Sequence, residues 1–159
     1  MGLIEYWNLS TEPDHAVDMV EPHIFGRVFE FGCGIGRLTH ALAEKHPECQ
    51  FWGYDIEPSL LQLARLDAGP NEHYVSSWPT AFDSAFSVLV FQHLPDEVVA
   101  ETLERAYPAP FRFQFVIGEE TAKDSYQRSV DRMLSLCGDY ATEVEPDPVY
   151  EQWAWVTAT

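Results

Sequence analysis

The sequence predicts an α/β fold, one domain over residues 1–159, built on a mostly parallel sheet. Three observations point there. An apolar run at 28–31 passes through a glycine-rich turn straight into a helical pattern. A second apolar run at 50–54 ends in Asp55 and is again followed by a helical pattern. Strand and helix signals then continue to alternate until two strand-like runs close the chain. Strands joined through helices pair in parallel, whereas two strands joined by a short turn pair antiparallel.

Residues 1–13 read as an N-terminal arm, whose Tyr6 and Trp7 either pack on the domain or form a lid over a cleft. Residues 14–20 suit a short helix with Ala16, Val17 and Val20 apolar, and Gly26 ends the approach to strand one. After the glycine turn, Leu38, Ala41 and Leu42 give the next helix its apolar face, with Thr39, His40, Glu44 and Lys45 opposite. The span 59–68 is amphipathic: Pro58 pre-sets its start, Leu60, Leu61, Leu63 and Ala64 supply a buried stripe, and Gly69-Pro70-Asn71 breaks it. A third strand follows at 72–75. About ten residues then separate Val75 from a fourth strand at 86–91, too few for an ordinary crossover helix. A helix with acids in its first turn runs from 95 to 106, and 111–117 alternates aromatics with Arg112 and Gln114 as strand five. A helix over 124–136 is closed by Gly138. The final hairpin pairs 140–145 with 149–156 around Pro146-Asp147-Pro148.

The glycine turn separates two cofactor classes. A dinucleotide site wants G-x-G-x-x-G. Here Gly32 and Gly34 fit, but Arg37 stands at the third position, which argues against a nicotinamide-type oxidoreductase. The actual pattern, Glu30-x-Gly32-x-Gly34-x-Gly36, resembles the first motif of class I S-adenosylmethionine-dependent methyltransferases. Asp55-Ile56-Glu57-Pro58-Ser59 resembles that family's second motif, about 20 residues after the turn, where a ribose-binding acid belongs. Gln92-His93-Leu94-Pro95 resembles a segment that follows strand four in many small-molecule methyltransferases. The resemblance covers roughly residues 7–155. It implies a Rossmann-like three-layer sandwich of strand order 3-2-1-4-5-7-6 with a C-terminal antiparallel hairpin, here shortened and with few helices.

It also implies roles. Gly32, Cys33 and Gly34, with Phe31 and Gly36, give the methionine part of S-adenosylmethionine close backbone contact. Glu30 meets its ammonium, Asp55 its ribose hydroxyls, and Ile56 its adenine face. Ser76, Ser77, Trp78 and Phe91 complete the adenine side, with Ser76 standing where the family often has aspartate. His93 is the candidate general base, a packing role being the alternative. Tyr6, Trp7, Gln92, Glu119 and Glu120 are candidate acceptor contacts. Glu30 otherwise caps a helix or forms a salt bridge, and Asp55 otherwise serves as a turn acid. The expected product is S-adenosylhomocysteine. The alternative to an active enzyme is a cofactor-binding or partner-dependent subunit.

Composition narrows the acceptor. Net charge is −17, from 26 acids against nine bases, and no basic cluster is visible. Such a field repels nucleic acid and favours a small-molecule acceptor. The three cysteines have no paired spacing, and the six histidines show no ligand pattern, so neither a disulfide nor a metal is expected. Cys33 reads as a small neutral residue in the turn. With no secretory signal or membrane-length apolar run at hand, a cytoplasmic protein is expected.

Overall fold

The computed structural model describes residues 13–118, 121–122, 125–140 and 142–159. Among the described residues, five helices flank a seven-stranded sheet: α1 (Pro13–Val20), α2 (Arg37–Lys45), α3 (Pro58–Ala64), α4 (Asp96–Ala106) and α5 (Val130–Cys137). The strands of the sheet are β1 (Arg27–Phe31), β2 (Gln50–Tyr54), β3 (Glu72–Val75), β4 (Ser84–Ser87), β5 (Phe111–Val116), β8 (Thr142–Pro146) and β9 (Trp153–Ala158). A separate two-stranded ribbon, β6 (Thr121–Ala122) and β7 (Ser125–Tyr126), follows β5.

The order across the sheet is β3-β2-β1-β4-β5-β9-β8. Pairings from β3 to β5 are parallel, and β9 runs antiparallel to both β5 and β8. With the small ribbon left out of the count, this is the expected order 3-2-1-4-5-7-6.

Burial explains why the central strands read as apolar runs. Strands β1, β4 and β5 are covered on both faces, as parallel strands flanked by helices must be. On one face Phe29, Phe91, Phe111, Phe113 and Phe115 pack against Val99 and Leu103 of α4 and Met133 of α5. On the other, Val28, Phe51 and Phe86 meet Val17 and Val20 of α1 and Leu42 of α2. Each such ring or branched side chain contributes about 1.5–3 kcal/mol on leaving water. No helix among the described residues is long and apolar enough to cross a membrane.

Between β3 and β4 the chain holds no helix, as the short spacing predicts. Trp78 and Phe82 cover that part of the sheet instead, with ring centroids 4.7 and 5.0 Å from Phe29.

Several boundaries differ from the sequence reading. Strand β4 starts at Ser84 and ends at Ser87, because Leu89 adopts a left-handed φ of 59° and ends the ladder. Helix α3 stops at Ala64, and Leu63 is 37% exposed while Leu60, Leu61 and Ala64 are buried. Helix α5 begins at Val130, since Ser129 caps it through Arg132 N–H at 3.1 Å. The segment before it folds into β6 and β7. The last hairpin is longer in its turn than expected, with β8 at Thr142–Pro146 and β9 at Trp153–Ala158.

Candidate active site

The turn after β1 gives its three glycines different duties. All three have positive φ: 79° at Gly32, 54° at Gly34 and 81° at Gly36. A Cβ on Gly32 would lie 2.3 Å from Val90 Cγ2, and one on Gly36 would lie 2.5 Å from the Tyr74 hydroxyl oxygen. Those two glycines let neighbours close in. A Cβ on Gly34 would meet nothing within 4 Å. Gly34 thus presents bare backbone to open space, the arrangement that admits a ligand. The amides of Gly32 and Cys33 both donate to Tyr54 O at 2.8 Å, tying the turn to the end of β2.

That space is a cavity of about 350 Å³ outside the carboxyl ends of β1 and β4, where strand order reverses. Its walls are the turn from Glu30 to Ile35, then Arg37, Leu38, Tyr54, Asp55 and Ile56. Trp78, Val88, Leu89, Val90, His93 and Leu94 form the next side, and Val98, Glu101, Thr102 and Arg105 of α4 close it.

The two motif acids are held by backbone as well as facing the cavity. Asp55 accepts from the Gly34 and Glu57 amides, each at 2.9 Å. Glu30 is 3% exposed, and its Oε2 accepts from the Thr39 amide at 3.1 Å and from the Thr39 hydroxyl. Thr39 is the third residue of α2, whose N-cap Gly36 offers no side chain. Glu30 therefore caps α2 from the neighbouring strand. This corrects the sequence reading of Thr39, which is fully buried rather than on the outer face.

Burial pushes the Glu30 carboxyl up to about 8, with Thr39 partly offsetting it and Asp55 adding to it. The Cys33 thiol is pushed well up by burial and then by Glu30 and Asp55, so it is not a nucleophile at neutral pH. Beneath the turn, Tyr74 donates to Glu72 Oε2 at 2.6 Å, and Glu72 Oε1 pairs with His40 Nδ1 at 2.9 Å.

The cavity gathers Glu30, Phe31, Gly32, Cys33, Gly34, Asp55, Ile56, Trp78 and His93 from among the residues singled out in the sequence. Gly36 stands outside the wall, under Tyr74. Ser76 and Ser77 are exposed and outside it, and Phe91 is fully buried with its ring 4.6 Å from Phe113. Gln92 is buried beyond the wall, and its Oε1 has no partner among the described residues. His93 is exposed at the cavity wall. Tyr6, Trp7, Glu119 and Glu120 lie outside the described residues. Among the described residues no group of acids, histidines and cysteines could hold a metal ion.

The α4 contribution was not foreseen. Its signal was present: positions 98, 101, 102 and 105 follow the spacing of one helix face, and three of those four residues are polar. Arg128 was also missed. Buried beneath the His93 turn, it donates to Phe91 O at 2.8 Å, to Leu94 O, and to Asp96 Oδ1 at 2.7 Å. It fixes the segment that carries His93.

A doubly wound sheet with a glycine turn and two acids at its switch point defines the class I methyltransferase architecture. A protein-family model described as "Methyltransferase domain" matches residues 29–109. The chain belongs to this family of S-adenosylmethionine-dependent methyltransferases. It is 43% identical over 44 residues to trans-aconitate 2-methyltransferase of Streptomyces coelicolor, a match covering 28% of this chain and 14% of that one. It is 32% identical over 59 residues to ribosomal RNA small subunit methyltransferase C of Shewanella sediminis, covering 37% and 17%. The matched stretches are thus a small part of these curated relatives. Human N-acetylserotonin methyltransferase, solved in complex with S-adenosylmethionine, superposes with a TM-score of 0.75 at 13% identity, over 98% of this chain and 53% of that one.

Proposed function

We propose that the protein binds S-adenosylmethionine and transfers its methyl group to a small organic acceptor. One observation carries this reading: Glu30, Gly34 and Asp55 meet at a single cavity, with open space over the bare backbone of Gly34. The residues fit the cofactor's chemistry. A buried carboxyl short of donors suits an ammonium, and the second acid suits ribose hydroxyls.

When bound, S-adenosylmethionine supplies a methyl on a positively charged sulfur that is already a good leaving group. The chain's work is alignment and exclusion of water. Gly32, Cys33 and Gly34 hold the methionine part against backbone, and Glu30 receives the ammonium. Asp55 accepts from the ribose, and Ile56 borders the adenine. Phe31, Val88, Leu89 and Val98 keep the transfer region dry. His93, at the cavity wall, is the proposed group to take a proton from an acceptor that carries one. With a charge of −17, the protein suits a small acceptor better than RNA. A cofactor-binding subunit that works with a partner is the second reading.

Calorimetry with S-adenosylmethionine, S-adenosylhomocysteine and NAD tests the assignment, followed by methyl-release assays over phenols, amines, thiols and carboxylates. Binding of the first two ligands without NAD is expected. NAD binding alone would overturn the reading, and cofactor binding without release to any acceptor class would select the subunit.

A further inference from the structure

The cavity wall carries charges of both signs at both sides, with Glu101 beside Arg105 on α4. Glu30 and Asp55 stand at the glycine turn, where Arg37 also opens α2. At the other side Arg105, in the last turn of α4, lines the wall beside Trp78. The Arg105 guanidinium carbon lies over the Trp78 ring, 4.5 Å from its centroid. Trp78 is in turn fixed against Phe29 and Phe31, at 4.7 and 5.6 Å between centroids.

This pairing is unusual for the chain. With 26 acids and nine bases, a base without a carboxylate runs against the odds. Arg27, Lys45, Arg112, Arg128 and Arg132 all face carboxylates. Arg65 gives two donors to Tyr74 O. Arg105 makes no ion pair among the described residues, although Glu101 stands one turn earlier on the same helix.

We infer that Arg105, seated on Trp78, anchors a carboxylate carried by the methyl acceptor, so that the enzyme's substrates are organic acids. The inference rests on the methyl-transfer reading above and names the substrate class of that site. A planar guanidinium presents parallel donors that match the two oxygens of a carboxylate, and stacking on an aromatic ring pre-orders it. The overall negative charge of the protein repels anions at long range. An acid entering this cavity therefore needs a local positive partner, and Arg105 is placed to be one. The neighbouring Thr102 offers a further polar contact on the same helix face.

The test uses the full chain loaded with S-adenosylhomocysteine and three acid–amide pairs: benzoate with benzamide, indole-3-acetate with indole-3-acetamide, and fumarate with fumaramide. At least one acid should bind ten times or more tightly than its amide by calorimetry. For that acid, Arg105→Met should raise KM, or Kd where turnover is not seen, at least tenfold. Cofactor affinity and melting temperature should stay within twofold and about 2 °C of the parent, and Arg105→Lys should fall between. If no acid outbinds its amide while S-adenosylhomocysteine binds normally, the inference is wrong and the methyltransferase reading stands. A tenfold loss of S-adenosylhomocysteine affinity in Arg105→Met would assign the arginine to the cofactor and equally overturn it. Failure of S-adenosylhomocysteine to bind the parent protein removes the underlying reading and the inference together.

Discussion

Glu30 on the cavity and Asp147 in the C-terminal hairpin are almost equally buried, at 3% and 5% exposure. Their surroundings differ completely. Asp147 accepts from Trp155 Nε1 at 2.7 Å, from the Val149 and Tyr150 amides at 2.9 Å, and pairs with His15 at 2.9 Å. Burial pushes its carboxyl up, but these donors outweigh that and hold it below the ordinary value. Among the described residues Thr39 is the donor to Glu30, and burial wins. An acid that the fold has fully satisfied holds structure together, here joining α1 to the β8–β9 hairpin. An acid that the fold leaves short of donors at a cavity is prepared for a cation from outside.

The largest effect expected from this contrast is a pH-dependent stability difference at Glu30. The folded-state value of about 8 lies above the ordinary 4.5. Between those two pH values the folded protein keeps a proton that the unfolded chain has lost. Stability is therefore full below about pH 4.5 and falls as pH rises toward 8. At about 1.4 kcal/mol per unit, the whole window amounts to about 4–5 kcal/mol. Glu30→Gln should remove this slope, so its denaturation midpoint gains on the parent's steadily from pH 5 to pH 8. Saturating S-adenosylmethionine should flatten the parent's slope as well, because an ammonium partner favours the ionised carboxylate. Parallel pH curves for parent and variant would break the contrast.

Asp147→Asn probes the other side. The amide retains one oxygen for the Val149 and Tyr150 donors but turns an NH2 toward His15 and Trp155. A cost of about 2–3 kcal/mol is expected from buried donors left facing a donor. Cofactor affinity of the folded variant should stay within twofold, measured by calorimetry well below its melting temperature. An affinity loss as large as the stability loss would mean that the hairpin and the cavity are not separate.

The sequence made the glycine-turn side of the cavity legible for a physical reason. Glu30, the three glycines and Asp55 lie within 26 residues of one another, and local turn chemistry decides their places. The sheet order followed from the family resemblance, and the lack of a crossover helix from a simple count of residues. What was hidden depends on tertiary neighbours. Nothing local indicates that Thr39 turns inward to meet Glu30, that Leu89 takes a left-handed conformation, or that Arg128 reaches three backbone carbonyls. Arg112 and Gln114 are the polar members of the β5 alternation, yet both are 2% exposed; Arg112 donates to Met19 O of α1 and lies over the Trp155 ring of β9. The arm with Tyr6 and Trp7 lies outside the described residues.

Asp55 stands between the two extremes, and its variant is the smallest and sharpest test. It is half-buried, accepts from the Gly34 and Glu57 amides, and also lines the cavity. It is thus a turn acid and a candidate ligand contact together. Asp55→Asn keeps an oxygen for one amide while its charge is lost. Stability should fall by about 1 kcal/mol. Affinity for S-adenosylhomocysteine should fall about tenfold, or about 1.4 kcal/mol, as expected for one weakened charge-assisted bond. Fragments distinguish the two duties. If Asp55 accepts from the ribose, adenosine binding should weaken by the same factor while methionine binding does not change. If it serves only to shape the glycine turn, the loss should appear with methionine, which lies against Gly32 to Gly34 in the proposed arrangement. Equal loss for both fragments would mean that Asp55 shapes the whole cavity, and no loss for either would place it with Asp147. A loss confined to adenosine would place it with Glu30.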